Sequence, residues 1–231
     1  MKFHKSFEKF IDTSLYLNRM KSFVDATSNI CPSKDNVFRC FENDLSKLKC
    51  IILGMDPYTA TYEYNGKVLP VATGRSFEVA NIDLWTDKYK QVSLLNIFKT
   101  LCYLKFGSIF SADELRKKVN IDNFRFLNTH DWFDAMEQQG VMFLNATLTS
   151  EVGKSNVHKN VWKDFMDEFL RYILSVKNDL KWLIWGDLAM KRVEGIVDNS
   201  NVVYTCHPAA RFNNTFVKDC CFKNIIDIEW V

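Results

Sequence analysis

The stretch Cys50-Ile51-Ile52-Leu53-Gly54-Met55-Asp56-Pro57-Tyr58 decides the reading of the chain. A short apolar run closed by glycine has the length of a strand buried on both faces. A polar turn follows, because Asp-Pro initiates turns and the residue before proline is pushed out of the helical region. The arrangement recurs three times. Val141–Leu144 runs into Asn145, Lys181–Trp185 into Gly186-Asp187, and Val202–Cys206 into His207-Pro208.

Segments of helical period separate these runs. Residues 6–24 read as an opening helix with Phe7, Phe10, Ile11 and Leu15 on one side, and Ser93–Leu104 as another. Ser111 and Glu114 form a capping box for a helix ending near Val119, and Asp131–Gln139 stops at Gly140. Asn160 is placed to cap a long helix striped by Trp162, Phe165, Phe169, Ile173 and Val176. Asp187–Val197 and a segment near Phe216–Ile226 complete the set. Strands alternating with helices predict an α/β fold: a three-layer α/β/α sandwich with a central, mainly parallel four-stranded sheet, residues 1–231 forming a single domain. In open α/β sheets ligands bind beyond the carboxyl ends of the strands. If the four strands are parallel, Asp56, Asn145, Gly186 and His207 converge on one crevice.

Composition narrows the classes. Of the 231 residues, 47% are apolar and 19 are Phe, which argues against a disordered chain. No apolar run approaches the ~20 residues of a membrane span. The charged start, Met1–Lys5, leads into an amphipathic helix rather than a signal peptide. A net charge of +2 neither demands nor excludes a nucleic-acid partner, so any such surface is a local patch. Seven cysteines without a C-x-x-C pair argue against a disulfide framework or a zinc knuckle, and for a reducing compartment.

The residues beyond the strands carry a more specific likeness. Gly54-Met55-Asp56-Pro57-Tyr58 resembles the G-Q-D-P-Y-H water-activating loop of family-1 uracil-DNA glycosylases. Upstream, Val37–Phe41 resembles the stretch that precedes it. Gly74-Arg75-Ser76-Phe77 is similar to the segment bearing the base-stacking Phe, and Ser93-Leu94-Leu95-Asn96 to the serine loop. Leu144–Thr149 resembles the uracil-reading LLNxxLT, and Ser155–Trp162 the S-H-x-x-x-G-W stretch. Trp185-Gly186 and His207-Pro208-Ala209-Ala210-Arg211 resemble the last two loops, the HPAAR string in its poxviral form. Each piece alone is weak. Their order, from about residue 31 to the end, is the strong signal.

The resemblance implies a cofactor-free, metal-free enzyme that flips uracil out of DNA and hydrolyses its glycosidic bond. That reaction places positive charge on the sugar and negative charge on the departing base, and fixed groups favouring both lower the barrier. By resemblance, Asp56 positions the water and His207 donates to uracil O2. Asn145 reads O4 and N3, Tyr58 excludes the thymine methyl, Phe77 stacks on the base, and Met55 contributes backbone. Ser93, Gly186, Asp187, Pro208 and Arg211 are the expected DNA contacts, with Arg211 in place of a wedge leucine. Lys154, His158 and Lys159 are candidates for a basic rim. The plain alternatives are a turn cap for Asp56, a loop histidine for His207, a strand-end turn for Asn145 and a core ring for Phe77.

The chain departs from the pattern at Met55, at Thr59 where the family carries His, at Gln91-Val92 where two prolines are usual, and in an insert, Tyr62–Val71. Thr59 keeps open a non-catalytic DNA-binding or processivity role on the same fold. An amino-methyltransferase, suggested by D-P-Y, lacks the glycine-rich cofactor loop, and the cysteine spacing does not suit an iron–sulfur glycosylase. The expected partner is uracil-containing DNA, with no membrane. A monomer is expected, with a proteinaceous glycosylase inhibitor or a replication factor as candidate partners. The implied location is cytoplasmic for a bacterial or viral source and nuclear for a eukaryotic one.

Overall fold

The computed structural model describes residues 3–120, 122–210 and 214–231. The chain opens with α1 (Glu8–Thr13) and α2 (Leu17–Ala26), then β1 (Ile30–Cys31) and the first long strand, β2 (Cys50–Gly54). A hairpin follows, β3 (Thr61–Tyr64) and β4 (Lys67–Pro70), and then α3 (Val92–Phe106), α4 (Ala112–Lys118) and α5 (Thr129–Gln138). Next come β5 (Val141–Asn145), β6 (Ser150–Glu151) and α6 (Lys159–Val176). β7 (Lys181–Trp185), α7 (Asp187–Val193), β8 (Val202–Thr205) and α8 (Thr215–Asp219) close the chain.

The central sheet has the order β5-β2-β7-β8, and every pairing in it is parallel. Its strands read as unbroken apolar runs because both faces are covered. Ile51, Leu53, Met142, Leu144, Trp182 and Ile184 point to one side, where Phe7, Phe10 and Phe41 meet Phe165 and Phe169 of α6. Cys50, Ile52, Phe143, Leu183 and Trp185 point to the other, against Phe98 of α3, Trp132 and Phe133 of α5, and Phe222. The alternation with period two makes the three-layer α/β/α sandwich. Among the described residues no helix is long and apolar enough to cross a membrane.

Several local expectations are corrected. The opening helix is broken between α1 and α2, and Leu15 is 84% exposed. Ser14 donates its hydroxyl to Glu168 of α6, and its oxygen accepts from the backbone N–H of Leu17 at 3.1 Å, starting a new helix. Asn160 lies inside α6, whose N-cap is His158 without a side-chain cap bond. The last helix stops at Asp219 because Cys220 takes φ 41°, and a 3-10 turn, Cys221–Asn224, follows. The insert is the β3–β4 hairpin, turned by Asn65-Gly66 with both residues at positive φ, a two-residue turn whose twist suits a hairpin. The seven cysteines form no disulfide.

Candidate active site

Parallel pairing brings the ends of β2 and β5 into register, with Gly54 opposite Asn145. The ladder runs past the strands: Ala146 N–H donates to Gly54 O and Thr147 N–H to Met55 O, each at 2.9 Å. This fixes the Met55–Tyr58 loop over the sheet's carboxyl end. A cavity of about 220 Å³ opens there, walled by Met55, Asp56, Tyr58, Phe77, Asn145 and His207. Ser93, at the start of α3, lines it too, as do Thr59 and Ser155.

Asn145 is 4% exposed, and its amide bonds to no described residue, which leaves it free for a ligand in the cavity. Its position depends on Gly54. A Cβ at residue 54 would lie 2.5 Å from Asn145 Oδ1 and 2.8 Å from Ser76 Cβ, closer than real atoms approach. Gly186 packs against His207 less tightly: a Cβ there would fall 3.0 Å from His207 Cβ, and its φ of 95° favours glycine.

Asp56 accepts a hydrogen bond from the backbone N–H of Asn156 at 3.0 Å. Burial pushes its carboxyl pKa up, and the Asn156 N–H opposes the rise. Gly153 N–H also donates to Thr59 O at 2.8 Å, so the 153–156 loop is bonded to the aspartate loop at two points. His207 sits at the open rim. The protein around it withdraws water, which lowers its pKa, and the neutral ring accepts from Ala209 N–H through Nδ1 at 3.1 Å. The proton is therefore on Nε2, where it can be donated. Burial pushes the Tyr58 phenol pKa up, and the adjacent Ser93 side chain offsets that only in part.

Phe77 carries the backbone strain of the site. It is 8% exposed at φ 67°, its ring 4.8 Å from Trp185 and 6.5 Å from His207. A left-handed conformation costs a non-glycine residue roughly 1–3 kcal/mol, so neighbours must hold it. Ser76 donates its N–H to Phe143 O and its hydroxyl to Ile52 O. On either side, Arg75 and Glu78 form a buried ion pair at 3.0 Å, extended by Asp134 and Glu137 on Arg75 and by Thr73 and His130 on Glu78. Burial alone would raise the Glu78 carboxyl, yet the His130 bond, the Arg75 charge and the Thr73 hydroxyl hold it at about 2. Sequence reasoning missed this network, whose signal was two opposite charges three residues apart around an apolar one.

Of the expected DNA contacts, Ser93 lines the cavity, while Gly186, Asp187 and Pro208 do not. Pro208 O accepts from Asn96 Nδ2 of α3 at 2.5 Å, which ties the His207 loop to the helix bearing Ser93. Asp187 accepts from Tyr204 Oη at 2.6 Å. Arg211 lies outside the described residues. The rim group is corrected: His158 is buried, its ring pKa lowered by burial and its Nδ1 paired with Thr149 Oγ1 at 2.9 Å. Lys154 pairs with Glu151 at 2.7 Å, and Lys159 alone of the three is exposed and without an ion pair among the described residues.

No family model matches the chain. Comparison with individual proteins is decisive instead. The chain is 32% identical over 184 residues to a uracil-DNA glycosylase of Francisella tularensis subsp. holarctica, a match spanning 78% of this chain and 70% of that protein. The subspecies novicida enzyme of the same name is 31% identical over 185 residues, with the same coverage. Among solved structures, UNG from Nitratifractor salsuginis superposes with a TM-score of 0.74 at 16% identity, over 97% of this chain and 91% of that one. Mimivirus uracil-DNA glycosylase gives 0.64 at 24% identity, over 88% and 67%, and a Y322L form of it was solved in complex with UGI. The structures show the shared fold, and the sequence match settles the descent: the chain belongs to the uracil-DNA glycosylase family.

Proposed function

We propose that the protein is a DNA-repair glycosylase that flips uracil out of DNA and hydrolyses its N-glycosidic bond by the family-1 route, leaving an abasic site. The observation that carries this reading is the gathering of Asp56, Tyr58, Phe77, Asn145 and His207 around one cavity at the carboxyl end of the sheet. Uracil entering it lies against Phe77, with its C5 edge toward Tyr58. The Asn145 amide donates to O4 and accepts from N3–H, a pattern that cytosine reverses. As the bond breaks, ionised Asp56 orients the attacking water and favours the cationic sugar. His207 Nε2–H donates to O2, where negative charge grows. A neutral donor suits this task, and the lowered His207 pKa keeps the ring neutral.

Extrusion of a stacked base costs about a few kcal/mol, which contacts to the strand offset. Ser93, Gly186, Asp187 and Pro208 are the proposed contacts to the strand, and Arg211 follows in the HPAAR string, the poxviral form of the wedge loop. Arg211→Ala should slow release from paired U·A more than from single-stranded DNA, where no helix needs opening. The inhibitor complex of the mimivirus relative supports a proteinaceous inhibitor as a partner.

The direct test is uracil release by purified protein in chelator, from U·A, U·G and single-stranded substrates. Asp56→Asn and His207→Ala should each lower the rate roughly a hundred- to a thousand-fold. Rates near the unaltered protein's in both variants reject the assignment.

A further inference from the structure

A second concavity, about 380 Å³, lies between α6 and α7. Met55 lines both it and the base cavity, and Ala146 and Thr147, which carry on from β5, form the floor of the second. Its walls are strongly basic. Lys159, Lys163 and Arg171 stand on α6, and Lys191 and Arg192 on α7. Arg192 is occupied by Asp167 at 2.5 Å and by Lys163 O. The other four cations are exposed and form no ion pair among the described residues, against one such carboxylate, Glu194. In a chain of net charge +2 that is a local concentration. It is not needed for the packing of α6, whose buried face is Trp162, Phe165, Phe169 and Ile173.

The spacing has a direction. Lys159, Lys163, Asp167 and Arg171 recur every four residues, so they form one row along α6. At 1.5 Å per residue the row is about 18 Å long, and Lys159, at its start, is nearest the base cavity's end of the sheet. We infer that this groove binds the phosphodiester backbone of the DNA strand beyond the flipped nucleotide, as a second contact site separate from the mouth of the base cavity. Phosphates recur along a strand at intervals the row can follow, and flexible lysines meet them as point charges that carry no sequence preference. The inference rests on the glycosylase reading for the identity of the strand.

The test compares the unaltered protein with a Lys163→Ala, Arg171→Ala, Lys191→Ala variant. Affinity is measured across a salt series for single-stranded DNA of about twenty nucleotides, longer than one pocket's footprint. Uracil release is measured on a minimal substrate with one nucleotide on each side of the deoxyuridine. Loss of three phosphate contacts should flatten the plot of log affinity against log salt by about 2 and weaken long-strand binding at least tenfold at low salt. Release from the minimal substrate should be unchanged, which also shows that the variant is folded. An unchanged slope overturns the inference. Equal losses on both substrates overturn it as well. If the unaltered protein releases no uracil, the functional reading fails instead, while the salt slope still judges the groove.

Discussion

Arg75 and Glu78 are paired at 3.0 Å across Phe77, the residue whose φ of 67° turns its ring into the cavity. Both partners are almost wholly buried, at 5% and 2% side-chain exposure. Removing one member of such a pair leaves an uncompensated charge and typically costs about 3–5 kcal/mol. Arg75→Ala should lower the denaturant midpoint and raise KM for uracil-containing DNA as Phe77 loses its fixed place. Arg75→Met with Glu78→Gln removes both charges, so it should recover much of the stability and little of the KM. Recovery of both would reduce the pair to a stability element.

Gly54→Ala tests the packing beneath the Asn145 amide. The new methyl would meet Asn145 Oδ1 and Ser76 Cβ inside contact distance, so the Asn145 amide must move. Uracil release should drop at least tenfold, with free uracil binding more weakly as an inhibitor. An unaltered inhibition constant would show that the amide is not where uracil binds.

Discrimination and chemistry should separate. Tyr58→Ala opens the wall beside C5 and should admit thymine at low rate. Asn145→Asp offers cytosine an acceptor for its amino group and should release cytosine slowly. Excision of uracil alone by both variants would place specificity elsewhere.

The pH profile follows from opposite shifts in two groups. In the proposed reaction Asp56 is ionised and His207 neutral, so release should fall on the acid side as each takes up a proton. Burial raises Asp56 and lowers His207 from the usual 6.5, so the histidine step should come below that of an ordinary imidazole. Asp56→Asn should remove one of the two acid steps from its residual activity. Stability has its own sign. A carboxyl raised on folding opposes the folded state once ionised, so Asp56→Asn should be at least as heat-stable as the unaltered protein near neutral pH. Glu78 is the reverse case: its contribution is present above about 4.5 and is lost as pH falls toward 2, so acid unfolding should set in across that window.

The parts of the fold that could be read from sequence were those written in local chemistry. Cys50–Leu53, Val141–Leu144 and Lys181–Trp185 are apolar runs closed by turn residues, and each lies within a strand of the sheet. Their polar endings led to the residues around the cavity for the same reason. What escaped was settled at a distance. Ser14 breaks the first helix because Glu168, far along the chain, accepts its hydroxyl. His158 is buried because Thr149 and Trp162 form a polar nest for it, the indole donating to Thr149 Oγ1 at 2.6 Å. Arg75 draws on Asp134 and Glu137, which no local pattern links to Phe77. The hairpin is of another kind, since Asn65-Gly66 between Tyr64 and Lys67 is a local turn signal that the sequence itself carries.

The pairing of Gly54 with Asn145 also bears on how the protein comes into being. β2 is central, and its neighbours β5 and β7 are both synthesised long after it, with crossovers of several helices between. Parallel pairings of such long range are slow to form, because the loop must close before any contact rewards it. No stretch of the chain holds the base cavity by itself. Recovery of catalysis after dilution from denaturant should therefore keep pace with the slowest step of refolding, and a nascent chain still short of β8 should have no working pocket.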